Sequence, residues 1–263
     1  MPLEINLTGK RALVTGVSSG IGAAIASTLA QAGCDVAGCG SRPADHAGAR
    51  AFIDSAKAHS RAAYYRSVDL ATVSGPAEFV EFATQKLGGL DLVVSNAGRN
   101  IFKGAENCAE ADWAECLNLD LASHWRLARA AKPHLDAANS GVILIIGSNH
   151  GWSTIPGCFP YNVAKAGLLG LVQSLAIEWG PRIRSVGIAP GFIDTAGNDT
   201  WFNSFADPAA ERSRTEKLHP VGRLGSVGEI GALCAFLASA HAGFISGTTL
   251  LVDGGRGALM QDR

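Results

Sequence analysis

The sequence has few charged residues and no long apolar run. Asp, Glu, Lys and Arg make up 17% of its 263 residues, less than the share of about 25% that is usual for globular proteins. Hydrophobic residues reach 47%, which excludes an intrinsically disordered chain. The longest apolar stretches, such as residues 142–146, are far shorter than the roughly 20 residues that span a bilayer. We therefore expect a compact protein without membrane association, part of whose surface is buried by partner subunits.

A strong net charge, a secretion signal and metal-binding spacings are also missing. The formal net charge of −1 offers no broad attraction for nucleic acid. Residues 1–10 contain no basic segment followed by an apolar one, so no secretory signal is predicted and the cytoplasm is the expected compartment. The six cysteines show no C-x-x-C spacing and the seven histidines show no H-E-x-x-H spacing. Neither a disulfide framework nor a protein-bound metal is therefore predicted.

Glycines and short apolar runs recur along the chain. The 32 glycines repeatedly follow apolar runs, as expected where strands and helices are joined by tight turns. Strand-like runs alternate with helical patterns and cover residues 12–15, 36–39, 63–68, 92–95, 142–146, 183–188 and 248–252. This alternation predicts an α/β fold, a single Rossmann-type domain over residues 1–263. Its doubly wound parallel sheet would have about seven strands, with helices on both faces.

A glycine-rich turn joins the first predicted strand to a helical run at residues 23–32. Glycines let the backbone approach a pyrophosphate, and the following helix offers free N–H groups and the positive end of its dipole. The spacing here, G-x-x-x-G-x-G, differs from the common G-x-G-x-x-G. The turn predicts a dinucleotide site with contacts at Gly16, Ser18, Ser19, Gly20, Ile21 and Gly22.

The end of the second predicted strand indicates which dinucleotide binds. An acidic residue about 20 positions after the glycines would bind the adenosine ribose hydroxyls and favour NAD(H). That position reads Gly40-Ser41-Arg42, with no carboxylate to repel a 2′-phosphate and with Ser41 and Arg42 as donors. We therefore expect NADP(H). NAD(H) is the alternative if Arg42 is only a solvated loop residue.

Three polar residues are predicted to converge at the carboxyl end of the sheet. Tyr161 and Lys165 begin a helical stretch that runs to about Trp179, and their i, i+4 spacing puts the phenol and the ammonium on one helix face. Ser148 follows the apolar run 142–146, at the edge where open α/β sheets bind ligands. A Tyr–Lys pair alone is a weak signal, but the three groups together predict a catalytic site.

These motifs occur in the order found in the short-chain dehydrogenase/reductase (SDR) family, which the chain resembles over essentially its whole length. Residues 15–22 match the family's T-G-x-x-x-G-I-G, and residues 95–98 match its N-N-A-G turn with Ser95 in place of the first Asn. Asp69 matches the family's adenine-contacting Asp, and residues 190–191 match its P-G turn. The resemblance implies further cofactor contacts at Asp69, Leu70, Asn96, Ala97, Gly98, Tyr161, Lys165, Pro190, Gly191, Ile193 and Thr195.

The resemblance also implies the reaction. A secondary alcohol and a carbonyl are interconverted by hydride transfer, with Tyr161 as general acid/base and Ser148 hydrogen-bonded to the substrate oxygen. We expect Lys165 and an oxidised nicotinamide to lower the pKa of Tyr161. The family's mid-helix catalytic Asn matches Asn118 and implies a water that links Lys165 to solvent. The apolar positions around it, expected to face the core or another subunit, are Trp113, Leu117, Leu121 and Trp125.

The substrate is less well specified than the cofactor. Aromatic and hydrogen-bonding residues favour a small, polar substrate such as a sugar or sugar acid, with predicted contacts at Ser148, Tyr161, His150, Arg99, Trp152 and Phe192. The alternative is a 3-oxoacyl-(acyl-carrier-protein) reductase, with a basic docking face at Arg126, Arg129 and Lys132. A dinucleotide-binding sensor or scaffold without activity is disfavoured, because Ser148, Tyr161 and Lys165 are all present.

The family pattern further implies that the two halves of the chain have different roles. Residues 10–100 are expected to form mainly the cofactor-binding half, and residues 101–263 the catalytic and substrate half. Residues 191–220 are rich in polar and aromatic residues without a clean period, which makes them a candidate lid. Family members form tetramers built around helix pairs, so a homotetramer is expected.

Overall fold

The computed structural model describes residues 4–138 and 140–259. The strands are β1 (Arg11–Thr15), β2 (Asp35–Gly40), β3 (Ala63–Ser67), β4 (Leu92–Ser95), β5 (Gly141–Ile146), β6 (Ile183–Pro190), β7 (Ile193–Asp194), β8 (Gly225–Ser226) and β9 (Thr248–Val252). The helices are α1 (Gly20–Gln31), α2 (Ala47–Ala58), α3 (Gly75–Leu87), α4 (Glu110–Leu117), α5 (Ser123–Ala137), α6 (Tyr161–Trp179), α7 (Ala196–Phe202), α8 (Pro208–Lys217) and α9 (Val227–Ala238).

One parallel sheet organises the molecule, in the order β3-β2-β1-β4-β5-β6-β9. The predicted fold class is therefore confirmed, and each of the seven predicted strands is present, with β6 extended to Pro190 and β3 ending at Ser67. Strand β1 pairs with β2 on one side and with β4 on the other. The order of the strands reverses at this point, and ligands of such sheets bind outside the carboxyl ends of the strands there.

Side chains along the buried strands alternate between two apolar layers. Val14 of β1 packs in one layer with Ile25 of α1. Leu13 packs in the other layer with Phe79 of α3 and Leu127 of α5. Because helices cover both faces, β1 and β5 are buried along almost their whole length, which explains why their sequences are nearly continuous apolar runs.

The helical region around Asn118 differs from the expected regular helix. A π-helical turn, Asn118–Ala122, joins α4 to α5, and such a turn changes which side chains face inward. The inward face carries Cys116, Asp120, His124 and Leu127. Leu117 and Leu121 of the apolar stripe are half-buried and pack against the buried clusters, as expected. Trp113 is half-buried and Trp125 is 42% exposed. Contact of this stripe with another subunit stays a prediction.

The candidate lid contains more regular structure than its sequence suggests. Residues 191–220 hold β7, α7 and α8, and β7 pairs with β8 outside the main sheet. Arg212 of α8 contacts the carboxylates of Asp194, Asp199 and Glu216. One guanidinium therefore connects the strand and both helices of this segment, whose role as a lid stays a prediction.

None of the six cysteines forms a disulfide. Five are buried and Cys108 is half-buried, and burial raises the pKa of the Cys34 and Cys116 thiols to about 12. The part of the chain that the structure describes contains no helix with the length and apolar character needed to cross a membrane. The same residues contain no group of three His, Cys, Asp or Glu side chains that could hold a metal ion.

Candidate active site

The glycine-rich turn after β1 is held in a conformation that larger residues would not adopt. Gly16 and Gly20 have φ angles of +76° and +55°, in the left-handed region that favours glycine. A Cβ atom on Gly22 would lie 2.2 Å from the carbonyl oxygen of Gly16. The turn is therefore tight, with Ser19 exposed and Ser18 and Ile21 half-buried, and its contacts with a pyrophosphate stay a prediction.

Hydrogen bonds join the segment after β4 to the end of β1. The amides of Asn96 and Ala97 donate to Thr15 Oγ1 at 2.8 and 2.9 Å, and Asn96 Nδ2 donates to the Thr15 carbonyl at 2.9 Å. These hydrogen bonds connect the ends of β1 and β4 at the point where the strand order reverses. Two of the residues predicted to contact the cofactor, Asn96 and Ala97, therefore lie beside the glycine-rich turn.

Ser95, which departs from the family pattern, has a partner that the sequence did not reveal. Its hydroxyl oxygen lies 2.8 Å from His124 Nδ1, and both side chains are buried. Burial, together with the charge of Lys165, lowers the pKa of His124 well below its usual value, so the imidazole is neutral. The Ser–His pair fills the space behind the turn and supports it.

The expected adenosine end of the groove is open to solvent. Ser41 and Arg42 are exposed after β2, and Tyr65 donates its hydroxyl to the Arg42 carbonyl at 2.7 Å. Asp69 is exposed and accepts from the Ala71 amide at 2.9 Å, while Leu70 is buried. The loop backbone is thus fixed, and the Arg42 side chain is available to a ligand.

The expected nicotinamide end is formed after β6. The amide of Gly191 donates to the Val252 carbonyl at 3.0 Å, and Pro190 and Ile193 are buried. A Cβ atom on Gly20 would lie 3.6 Å from Thr195 Cγ2. Thr195 therefore lies directly across the groove from the glycine-rich turn.

The three predicted catalytic side chains lie together and are all buried. Ser148 follows β5, Tyr161 begins α6, and Lys165 lies one turn later with its Nζ atom 5.3 Å from the centre of the Tyr161 ring. Burial raises the pKa of Tyr161, although Lys165 and the Ser148 hydroxyl act in the opposite direction. Burial is the largest of these effects, and the lowering expected from Lys165 together with an oxidised nicotinamide stays a prediction.

Asp120, and not Asn118, is the helix residue beside Lys165. Asn118 Oδ1 accepts from Arg126 Nη2 at 3.1 Å. Asp120 is 0% exposed, and its Oδ1 atom lies 3.3 Å from Lys165 Nζ. The π-helical turn directs Asp120 inward, and the role expected of Asn118 in holding a water stays a prediction. An acidic residue between Leu119 and Leu121 gave no signal of its own in the sequence.

The residues predicted to bind substrate are only partly brought together. His150 lies beside Tyr161, with ring centres 6.0 Å apart, and Phe102, which was not predicted, lies 5.2 Å from the Tyr161 ring. The other predicted contacts lie further out: Arg99 forms an ion pair with Glu115, Trp152 is exposed, and Phe192 packs on Trp201 and Phe202.

Arg256 is a second residue that sequence reasoning missed. It is half-buried just after β9, two strands from the end of β5, and strands in a sheet are about 4.8 Å apart. Burial and the nearby Arg214 lower the pKa of Arg256. Burial lowers the pKa of His150, and the Arg256 charge adds to this shift. The charge of Asp253 opposes the lowering of the Arg256 pKa but is outweighed by burial and Arg214.

Known proteins share this architecture. A family model described as enoyl-(acyl carrier protein) reductase matches residues 16–256. The chain is 34% identical over 252 residues to 3β-hydroxysteroid dehydrogenase 1 of Eggerthella lenta, covering 95% of this chain and 94% of the relative. The chain belongs to the short-chain dehydrogenase/reductase family. As an SDR protein, it is an oxidoreductase by family.

Other SDR relatives differ in what they are named for. The 3-oxoacyl-(acyl-carrier-protein) reductase FabG of Escherichia coli is 35% identical over 252 residues, covering 95% of this chain and 98% of the relative. A short-chain dehydrogenase of Burkholderia cenocepacia, solved in complex with NADP, superimposes with a TM-score of 0.85 at 32% identity, covering 95% of this chain and 99% of that one.

Proposed function

We propose that this SDR protein interconverts a secondary alcohol and a carbonyl, with Tyr161 as general acid/base. The observation that carries the proposal is the buried group of Ser148, Tyr161 and Lys165 at the carboxyl edge of the sheet. Burial keeps Tyr161 protonated near neutral pH, so it is ready to donate its proton to a carbonyl oxygen. Ser148 donates a hydrogen bond to the same oxygen and stabilises the charge that develops there.

The cofactor that fits the groove is NADP(H), which supplies or accepts the hydride when bound. The glycine-rich turn offers backbone N–H groups to the pyrophosphate, and Ser41 and Arg42 offer donors to a 2′-phosphate. The NADP complex of the Burkholderia cenocepacia relative supports this choice. Lys165 would bind the nicotinamide ribose, and Thr195, which lies across the groove from Gly20, would bind the nicotinamide carboxamide. NAD(H) stays as the alternative.

The substrate is proposed to be small and polar, such as a sugar or sugar acid. His150 beside Tyr161 offers hydrogen bonds. Arg256 is a half-buried cation close to Arg214, and both its burial and that second charge oppose its ionisation. A substrate carboxylate would relieve both effects, because a charge-assisted pair compensates for the loss of water. We therefore favour an anionic substrate among the polar ones.

A 3-oxoacyl thioester on a carrier protein is the second candidate. The 35% identity to the Escherichia coli reductase favours it. The proposed docking face has little free charge, however, since Arg126 donates to Asn118, Lys132 pairs with Asp136, and Arg129 lies over the Trp125 ring. An acidic carrier would have to displace these contacts.

Steady-state rates on a substrate panel test this function. The panel holds oxo sugar acids, uncharged ketoses of the same chain length and a 3-oxoacyl thioester, each with NADPH, and the matching alcohols with NADP+. We expect carboxylated substrates to exceed their uncharged analogues in kcat/KM by about tenfold or more. Tyr161→Phe should reduce kcat by about 100- to 10,000-fold.

The control in the same experiment is cofactor binding, followed by nicotinamide fluorescence. It should be almost unchanged in Tyr161→Phe, because the substitution removes one hydroxyl and keeps the ring. Wild-type turnover by this variant would refute the acid/base role of Tyr161. Turnover of the thioester alone would select the second candidate. No turnover of any compound by the wild-type protein would favour the sensor or scaffold hypothesis.

A further inference from the structure

A buried ion pair lies directly behind Tyr161. Asp120 is 0% and Lys165 3% exposed, and the carboxylate and the ammonium are 3.3 Å apart. The Arg99 amide donates a second hydrogen bond to Asp120 Oδ1 at 3.1 Å. A Cβ atom on Gly98 would lie 2.5 Å from this carboxylate oxygen and 3.2 Å from Lys165 Nζ. The absence of a side chain at Gly98 therefore makes room for the pair.

The other buried and half-buried titratable groups around this pair are neutral. Burial keeps His124 neutral and raises the pKa of Cys116 to about 12, so that its thiol is protonated. Burial and Arg256 lower the pKa of His150, which faces the Tyr161 ring. Arg99 is charged but lies toward the surface against Glu115. Among the described residues, Asp120 is thus the buried anion that balances Lys165.

We propose that Asp120 is a positioning residue that anchors the Lys165 ammonium and neutralises its charge, so that Tyr161 stays protonated and the site favours carbonyl reduction at neutral pH. This inference rests on the proposed function of Tyr161. In the reductive step the phenol proton moves to the substrate oxygen while the hydride forms the new C–H bond. Oxidation needs the Tyr161 phenolate instead. This phenolate would be a second anion, after the Asp120 carboxylate, beside the single Lys165 ammonium.

The physical argument is the balance of charges on Tyr161. An unpaired ammonium one helical turn away would favour the phenolate strongly. Burial raises the pKa of Asp120, while Lys165 and the Arg99 amide oppose that rise, and the 3.3 Å contact with the ammonium favours the carboxylate. With Asp120 ionised, the pair presents little net charge, and the burial of Tyr161 then dominates. Burial raises its pKa, Lys165 and Ser148 oppose the rise, and Asp120 and Cys116 add to it. For Lys165, burial alone would lower the pKa, but Tyr161 and Asp120 outweigh it and keep the ammonium charged.

The ionisation of Tyr161 can be measured directly, because the chain has three tyrosines. Protein labelled with ¹³C at the tyrosine Cζ position is titrated by NMR, and the Tyr161→Phe spectrum identifies the Tyr161 signal among those of Tyr64 and Tyr65. Asp120→Asn keeps the shape of the side chain and removes its charge. We expect its Tyr161 titration midpoint to fall by at least about one pH unit. An unchanged or higher midpoint would overturn the proposal.

Two further variants test whether the shift of the Tyr161 midpoint is caused by the charge of Asp120. Cys116→Ala removes a neighbour of the pair that raises the Tyr161 pKa less than Asp120 does, so the Tyr161 midpoint should fall by clearly less than in Asp120→Asn. Asp120→Asn combined with Lys165→Met removes both charges, a replacement that buried pairs often tolerate. Its midpoint should stay close to wild type. A midpoint raised by more than one pH unit in this double variant would mean that Asp120 does not neutralise Lys165.

The pH dependence of alcohol oxidation provides a second readout. In Asp120→Asn the rising limb of the kcat profile should move to lower pH by the same amount as the NMR midpoint, with little change in the binding of NADP+. The NMR titration does not depend on turnover. If Tyr161→Phe proves fully active, the proposed function fails while the titration still decides the role of Asp120.

Discussion

At the scale of single residues, Arg42 is the side chain that we propose selects the cofactor. The Tyr65 hydroxyl holds its carbonyl, while the side chain remains exposed beyond β2. We predict that Arg42→Ala weakens NADPH binding about 10- to 100-fold, the cost of a lost charge-assisted hydrogen bond. NADH, which lacks the 2′-phosphate, should bind as before. Fluorescence titration with both nucleotides measures the two affinities.

The matched control for Arg42 is Lys57→Ala. Lys57 is an exposed cation near the end of α2 and pairs with Asp54, so its removal lowers the net charge equally without touching the groove. Equal weakening by both substitutions would indicate general electrostatics rather than a 2′-phosphate contact. Unchanged NADPH affinity in Arg42→Ala would mean that the alternative, NAD(H), becomes the better assignment.

The proposed catalytic residues show how far single positions could be predicted. Ser148, Tyr161 and Lys165 were found because their spacing relates directly to a strand end and a helix turn. Asp120, His124 and Arg256 were not found, because each interacts with a residue far away in the chain. Asp120 contacts Lys165, His124 contacts Ser95, and the charge of Arg256 acts on His150. Such pairings arise from packing and have no local sequence pattern.

At the scale of elements, the turn between β1 and α1 depends on a glycine inside the helix. We predict that Gly22→Ala lowers the free energy of unfolding by about 1–3 kcal/mol, the usual cost of overpacking. The new Cβ atom would lie 2.2 Å from the Gly16 carbonyl oxygen and 2.5 Å from Asn96 Nδ2. Because both neighbours shape the cofactor groove, NADPH affinity should fall as well. Chemical denaturation and fluorescence titration measure the two effects.

Gly228→Ala is the control for this substitution. Gly228 also lies in the first turn of a helix, α9, but a Cβ atom there would meet only Ser226 Oγ, at 3.9 Å. Stability should stay the same or rise slightly, since alanine is the better helix former. A loss of stability as large as that of Gly22→Ala would show that the helical glycines matter for some reason other than close packing.

Elements were predictable where burial imposes a pattern. The strands β1 and β5 and the long helix α6 follow from apolar runs and helical spacing. The π-helical turn at Asn118–Ala122 was missed, because a change in hydrogen-bond register leaves no trace in composition. Helices α7 and α8 were missed because they are short and polar, although Asp207 caps α8 by accepting from the Ala210 amide.

At the scale of the whole molecule, the exposed apolar side chains of α5 and α6 favour assembly. Ile177 is 82% exposed, and Trp125 and Val163 are also exposed on these two helices. Burying such side chains between subunits releases ordered water and is favourable. We predict a homotetramer with about four times the chain mass of 27.2 kDa, a state that the SDR family pattern implies. Light scattering at micromolar concentration measures it, and a monomer would contradict it.

Two variants locate the surface that holds the assembly together. Ile177→Asp should lower the measured mass, because it places a charge where an apolar contact is expected. Val73→Asp changes an equally exposed residue, 74% accessible, at a site remote from α5 and α6 in the chain, and the mass should not change. If Val73→Asp dissociates the protein and Ile177→Asp does not, the assembly uses another face. The cytoplasmic location stays a prediction of the sequence.

The unpaired cysteines give the molecule a set of internal reporters. A thiol must ionise and meet solvent before it reacts with an alkylating reagent, and burial prevents both. Cys39 lies at the glycine-rich turn, Cys116 in the buried cluster with Tyr161, and Cys234 on the buried face of α9. The rate at which each thiol reacts therefore reports how often a different part of the fold opens, and no label has to be introduced.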